Sequence, residues 1–274
     1  MLAKKKIAIC FFGITRSLKY TIGSIEENIL NPARTLGDVR VFAHFFNQER
    51  VENSRSREST ALDRSEYKLL NPDGLVLEAP KECLSRHGFE KLKSFGDTRH
   101  DKFQSLRNIV HALHSLEQVT DMALEWAPDV VLFLRPDLFY HSSLEAIIQQ
   151  ALDSQAPAVF LPDWQHWRGG YNDRFAICVG KKAAIAYGKR VQKMHEYCEL
   201  YQEPLHSESL NRFALDTSEV SIKFFPERAS RIRADGSQKR EVWKEPLFDR
   251  FKTAVRSRLR ALRSRAKNTP HPKP

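Results

Sequence analysis

Hydrophobic positions along this chain come in short dense runs, separated by stretches in which they recur every third or fourth residue. Lys6 to Phe12, KIAICFF, Asp38 to Phe46, DVRVFAHFF, and Val130 to Leu134, VVLFL, are runs of strand length without the polar alternation of a half-exposed sheet. Such runs predict strands covered on both faces, the habit of a parallel sheet between two helical layers. From Phe103 to Trp126 the apolar residues fall instead at 103, 106, 110, 113, 116, 119 and 123. That spacing predicts a long helix with one buried stripe, feeding directly into the Val130 run.

The other elements keep the alternation. Gly13-Ile14-Thr15-Arg16-Ser17 leads from the first strand into a helix reaching about Ile29, where Asn31-Pro32 is expected to stop it. Asn47 to Arg64 has almost no apolar residues and predicts a mobile surface loop. Leu75 to Leu77 predicts a short strand, Ser143 to Leu152 a helix, and Ala158 to Leu161 and Phe175 to Val179 two more strands. A helix is expected from Lys181 to about Tyr201, ended by Glu203-Pro204, then a short one over Glu208 to Leu215 with Ser207 as N-cap. Ser221 to Phe225 predicts the last strand. The expected fold class is therefore α/β, a three-layer α/β/α sandwich with a mainly parallel sheet. There is no internal repeat, and neither a GxGxxG dinucleotide signature nor a P-loop occurs.

Composition changes the picture in one place. The net charge of +10 rests on the C-terminus, because Arg250 to Pro274 holds nine Lys or Arg and no acid, leaving 35 basic against 34 acidic residues elsewhere. The length fits one domain of about 240 residues plus a tail. Residues 247–274, with apolar side chains interleaved among arginines, predict a basic amphipathic tail suited to an anionic membrane surface; a nucleic-acid arm or a disordered solubilising tail are the alternatives. Cys10, Cys83, Cys178 and Cys198 form no CxxC pair, which argues against a zinc or disulfide framework and for a reducing compartment. The run Ile7 to Ile14 is too short for a signal peptide, and nothing approaches the roughly 20 apolar residues of a membrane span. The expected location is cytoplasmic, with peripheral attachment to the inner face of the plasma membrane through the tail.

Candidate chemistry begins where the Val130 run ends, at Arg135-Pro136-Asp137. Ligands of α/β sheets sit outside the carboxyl ends of the strands, so both charges should face a crevice. A carboxylate there can hold a divalent metal or a ribose hydroxyl, and a guanidinium can grip phosphate or fix the carboxylate. Gly13 and Arg16 follow the first strand and could meet the same ligand; an ordinary βα turn is the plain alternative. Asp163 to Tyr171, DWQHWRGGY, gathers Trp164, Trp167 and Tyr171 with paired glycines, a composition suited to stacking sugar rings or simply to covering a sheet edge. His44, His111, His114 and His195 are scattered without HxxxH or HExxH spacing, and structural roles are expected.

The ordered set KIAICFFGITRS, VVLFLRPDLFY, YNDRFAICVGKKAAIAYG, HSESLNRF and RIRADG resembles bacterial glycosyltransferase-like proteins of capsule and lipopolysaccharide clusters, over roughly residues 6 to 236. The resemblance implies a Rossmann-like, GT-A-type sheet, with residues 1–246 as the transferase domain. It also implies transfer of a sugar from a nucleotide-diphosphate donor to a surface polysaccharide or lipid-linked acceptor; direct displacement is expected because one base and an oriented donor suffice. Arg135-Pro136-Asp137 then stands where such enzymes carry Asp-x-Asp, which makes Asp137 the expected ligand of Mn²⁺ or Mg²⁺. Arg135 replaces the first acid and leaves metal dependence open. The resemblance further assigns Asp173 to the donor sugar, Glu208 to the general base, and Arg231 and Arg233 to the closing motif that would stabilise a departing diphosphate; by their own positions Arg16 and Arg135 could meet its phosphates and the three aromatics could stack on the acceptor. Against it stand a non-catalytic nucleotide-sugar or carbohydrate-binding protein of the same fold and, less favoured by the neutral body, a nucleic-acid-binding protein.

Overall fold

In the computed structural model, residues 4–53, 58–80 and 82–243 are described; the expected tail at 247–274 lies outside them. The chain runs β1 (Lys6–Gly13), α1 (Leu18–Ile25), α2 (Asn31–Leu36), β2 (Asp38–Phe46), β3 (Arg50–Asn53), β4 (Glu58–Ala61), β5 (Gly74–Glu78), α3 (Cys83–Arg86), α4 (Phe89–Lys93) and α5 (Gln104–Glu125). It continues through β6 (Val130–Leu134), β7 (Leu138–Tyr140), α6 (Glu145–Leu152), β8 (Ala158–Pro162), β9 (Ala176–Val179), α7 (Gly180–Gly188), α8 (Met194–Tyr201), α9 (Ser207–Asp216), β10 (Ser221–Phe225) and β11 (Ala229–Arg231).

The main sheet has the order β5-β2-β1-β6-β9-β8-β10. Every neighbouring pair is parallel except those made by β9, which runs against both β6 and β8. Alternation along the strands explains the layers. On β1, Ile7, Ile9 and Phe11 join a core with α1, α2 and α6, while Ala8, Cys10 and Phe12 face a second core with α5 and α7. β6 divides likewise, Val130, Leu132 and Leu134 to one side and Val131 and Phe133 to the other. The chain is thus a three-layer α/β/α sandwich with a mainly parallel sheet. A third cluster, under α4, α8 and the first half of α5, buries Leu106, Val110 and Leu113 of the expected stripe.

From β1 the strand order grows one way through β2 to β5 and the other way to β6, so the switch point lies between β1 and β6. The turns leaving these two carboxyl ends both run to the α1, α2 and α6 face of the sheet, where α1 packs on β7, and a cavity opens beside them. Because β9 is reversed, its amino end, preceded by Asp173 and Arg174, opens onto the same edge.

Several expectations are corrected. Asn31-Pro32 does not stop the first helix: a π turn, Glu26–Leu30, lets the Asn31 N–H reach the Glu26 carbonyl, and Pro32, which has no N–H to give, opens α2. The polar segment 47–64 is no plain loop, since β3 and β4 pair in an antiparallel ribbon that buries Val51 and Glu58. The expected helix from Lys181 to Tyr201 is interrupted at Gly188, where a side chain would collide with Thr120 of α5, and by a 3₁₀ turn over Arg190–Lys193. Free and buried, the four cysteines leave the disulfide expectation as stated. Among the described residues no helix is long and apolar enough to cross a membrane.

The central strand should dominate stability. Leu132→Ala, at a side chain with 0% exposure, should cost about 2–5 kcal/mol in urea denaturation, whereas Leu75→Ala on edge strand β5, 36% exposed, should stay within about 0.5 kcal/mol. Equal losses would contradict the layer assignment.

Candidate functional site

At the switch point lies a cavity of about 950 Å³ whose walls carry eight lysine or arginine side chains and five carboxylates. Three segments distant in sequence build its cationic wall, and backbone pairing fixes each. β7 leaves the Arg135-Pro136-Asp137 turn and pairs antiparallel with β11, setting Leu138 opposite Arg231, and the Ile232 N–H donates to the Asp137 carbonyl at 2.9 Å. Helix α1 is tied to the same turn: Thr21 Oγ1 donates to the Pro136 carbonyl at 2.6 Å and Ser17 Oγ to the Ile232 carbonyl at 3.1 Å. Arg16, Arg135 and Arg231 are therefore brought together by main-chain geometry.

Asp137 holds two of them. Its carboxylate accepts from Arg135 Nε and Nη2, each at 2.9 Å, and from Arg16 Nη2 at 2.6 Å. Only 3% of Asp137 is exposed. Burial alone would raise its carboxyl, but Arg135 and Arg16 outweigh that and hold it well below the usual carboxylate range. The same partnership holds the Arg135 guanidinium charged against its own burial. Arg16 also meets Glu58 at 3.4 Å, and Arg233 meets Glu58 at 2.9 Å.

Arg231 is different. It forms no ion pair among the described residues, and its Nε is buried without a hydrogen-bond partner, as is Arg16 Nε. Burial, with Arg135 and Arg174 close by, pushes its guanidinium down to about 9. The wall thus holds an under-neutralised cluster of positive charge along the cavity.

The same lining carries acids from the 171–174 loop and α9. Asn172 locks the 171–174 loop, accepting from the Arg174 N–H at 2.9 Å and donating from Nδ2 to the Trp164 carbonyl at 2.6 Å. Asp173 lines the cavity and accepts a short hydrogen bond from Ser207 Oγ, the first residue of α9. Glu208 follows in the first turn of α9, its side chain 19% exposed. Burial, then the nearby Asp173 carboxylate, push its carboxyl up to about 8, and His206 Nε2 lies 3.4 Å away. Gly170 packs so tightly on this turn that a side chain there would collide with the Glu208 backbone, and the Tyr171 N–H donates to the Glu208 carbonyl at 2.9 Å.

Of the residues nominated from sequence, Gly13, Arg16, Arg135, Asp137, Asp173, Glu208, Arg231 and Trp167 line this one cavity. Trp164, Tyr171 and Arg233 do not line it, and the roles expected of Gly13 and Asp137 change. Trp164, 2% exposed, is a core residue packed on Trp243 and Phe175 with Nε1 donating to the Glu227 carbonyl. Tyr171 lies outside the cavity lining and bonds Asp216. Arg233 serves Glu58 and is absent from the wall. Gly13 spends its N–H on Ser115 Oγ at 2.8 Å, so that donor is not available to a ligand. Asp137 does not fit a metal: both oxygens are engaged by guanidiniums, and a divalent cation would have to displace them amid like charge. Glu58 and Arg174 escaped the sequence reading, Glu58 because its segment lacked apolar residues and Arg174 because a buried pair with Glu241 at 3.3 Å has no sequence signature.

No protein-family model matches the sequence, and no curated protein matches it. Among solved structures, the apo form of mouse xyloside xylosyltransferase 1 aligns with TM-score 0.43 and 8% identity, covering 81% of this chain and 84% of that one. An active-site mutant of LgtC aligns with TM-score 0.42 and 12% identity, covering 80% and 72%. At these values neither similarity bears on substrate or chemistry.

Removing one partner of a buried charge cluster leaves the others uncompensated. Asp137→Asn should lose on the order of 3–5 kcal/mol. Because the folded carboxyl is depressed, its contribution is complete above the ordinary carboxylate value near 3.9 and is lost as the pH falls through and below it. Wild type should therefore lose stability on acidification more steeply than Asp137→Asn in denaturation series from about pH 5 to about pH 2; equal slopes would contradict the ion cluster.

Proposed function

We propose that this protein is a glycosyltransferase whose donor is a nucleotide-diphosphate sugar. One observation carries the reading: Arg231, a partly buried guanidinium without an ion-pair partner among the described residues, stands beside Arg135 and Arg16 at the switch point of a mainly parallel sheet. A cluster of guanidiniums at a strand end suits an anion with several oxygens, and a diphosphate has both the charge and the forked geometry. Asp137 in this reading is a positioning residue that spaces Arg135 and Arg16, and the arginines supply the neutralisation for which the sequence motif suggested a metal.

Transfer needs three further things. The acceptor hydroxyl must lose its proton, the bond from anomeric carbon to diphosphate oxygen must break, and the departing diphosphate must be stabilised. Glu208 lines the same cavity as the arginines and is our candidate base. Its oxygen takes the acceptor proton as the acceptor oxygen bonds to the anomeric carbon, and the bonding electrons leave with the diphosphate, onto Arg16, Arg135 and Arg231. Asp173, steered by Ser207, is assigned to hydroxyls of the donor sugar, and Trp167 to the face of the acceptor. The ordered motifs in the sequence support a surface polysaccharide or lipid-linked acceptor, met at the cytoplasmic membrane face. A second reading, donor binding without turnover, draws on the absence of a metal-fitting acid pair at Arg135-Pro136-Asp137.

The test pairs binding with turnover. A panel of nucleotide sugars, screened by thermal shift in EDTA, should contain a donor that raises the melting temperature, since a ligand of the folded state adds stability that grows with affinity. Glu208→Gln should keep that shift and lose transfer or slow donor hydrolysis by about 10²-fold or more. A raised carboxyl is protonated below its pKa, so activity should climb with pH toward about 8. No shift from any nucleotide sugar, or near-normal turnover by Glu208→Gln, would refute the assignment; binding with no hydrolysis in wild type would favour the second reading.

A further inference from the structure

Away from the arginine wall, at the carboxyl ends of β2 and β5, two fully buried histidines converge on one carboxylate. His44 Nε2 lies 3.1 Å and His114 Nε2 2.8 Å from the same oxygen, Oε2 of Glu78. His44 and His114 have 0% exposure, while the Glu78 side chain is 21% exposed and reaches solvent.

Counting protons around His44 exposes a conflict. Ser115 Oγ lies 2.7 Å from the His44 carbonyl, which can only accept, so the single hydroxyl proton is spent there. The same oxygen accepts the Gly13 N–H at 2.8 Å, and its remaining lone pair faces His44 Nδ1 at 2.9 Å. Nδ1 must therefore carry hydrogen and donate. A neutral His44 then presents a bare Nε2 lone pair to a carboxylate lone pair at 3.1 Å. Two acceptors do not share such a distance unless a proton or a cation lies between them. The ligand atoms of His44, His114 and Glu78 all lie within 4.8 Å of one another, and each residue offers one donor of the kind a divalent cation takes.

We propose that His44 Nε2, His114 Nε2 and Glu78 form a site for a zinc-class divalent cation, with water in the open position toward solvent. The ligand chemistry is that of a His₂-carboxylate site. Each histidine is set for it by its other nitrogen: His44 Nδ1 by Ser115, and His114 Nδ1 by His87 Nε2 at 2.9 Å. His87 Nε2 can accept from a His114 that carries its hydrogen on Nδ1. Such outer partners fix ring orientation and the ligating atom. Ligand atoms around a tetrahedral zinc stand roughly 3.3–3.5 Å apart, so insertion asks for outward shifts of a few tenths of an ångström. Arg86, 3.8 Å from Glu78 Oε1, is exposed and can swing away. Ser115 bridges His44 to the Gly13 turn, so a metal here would also brace one edge of the arginine-lined cavity. The inference is independent of the donor reading.

Cobalt(II) reports it directly. Full-length protein freed of metal with a chelator and titrated with Co²⁺ should bind one equivalent with visible d–d bands of a four- or five-coordinate ion and no strong thiolate-to-cobalt band. Zn²⁺ should displace it and raise the melting temperature. Glu78→Gln should weaken binding by more than about 100-fold and His87→Gln, which alters only an outer partner, by about 10–100-fold. Absence of binding at micromolar Co²⁺ would overturn the proposal. So would affinity unaffected by Glu78→Gln in a protein that still melts cooperatively, or a thiolate band assigning the metal to Cys83, whose thiol is buried nearby and pushed up to about 12.

Discussion

The carboxylate of Asp137 is the constraint on which the site depends. Three guanidinium-bearing segments, from the first βα turn, the end of β6 and the end of β11, would repel one another at the spacing that the backbone imposes. One buried carboxylate, shared by Arg16 and Arg135, makes that crowding tolerable without cancelling it. Glu58, reached from the β3–β4 ribbon, plays the same part for Arg16 and Arg233. What remains is a wall with Arg231 still in need of an anion. An electrostatically incomplete site of this kind gives up some stability in the empty protein and recovers it when the ligand arrives.

Most of the sheet was legible because its signal is local. Fully buried strands must be apolar on both alternating faces, so KIAICFF, VVLFL and the Ala158 run could be read directly, and the stripe from Leu106 to Ala123 fixed the long helix. The reversal of β9 was not legible: a central strand buried on both faces has the same pattern in either direction, and only the chain path decides. The β3–β4 ribbon was missed for the opposite reason. Its strands are mostly polar and gain their order from pairing and from Glu58, which no periodicity announces.

The site divides along the same line. Charged residues at strand ends, Arg16, Arg135, Asp137 and Asp173, could be nominated because topology brings strand ends together. Trp164 and Tyr171 could not be told from Trp167, since composition does not say which ring of a loop faces in. Trp164 instead anchors the loop in the core through Phe175 and Trp243. Asp137 was found in the right place with the wrong partner: the sequence suggested a metal ligand, and the geometry gives its oxygens to guanidiniums. The histidines, set aside as structural, converge only because β2, β5 and α5 meet at one end of the sheet.

The central claim is that preset arginines, rather than a metal held by Asp137, receive a diphosphate. Isothermal titration of the full chain with inorganic pyrophosphate in EDTA tests it most directly. The account predicts one site per chain, bound without added metal and weakened at least about tenfold by Arg231→Met, which keeps much of the apolar stem and removes the charge. Binding that appears only when Mn²⁺ is supplied, or that ignores the loss of Arg231, would contradict it.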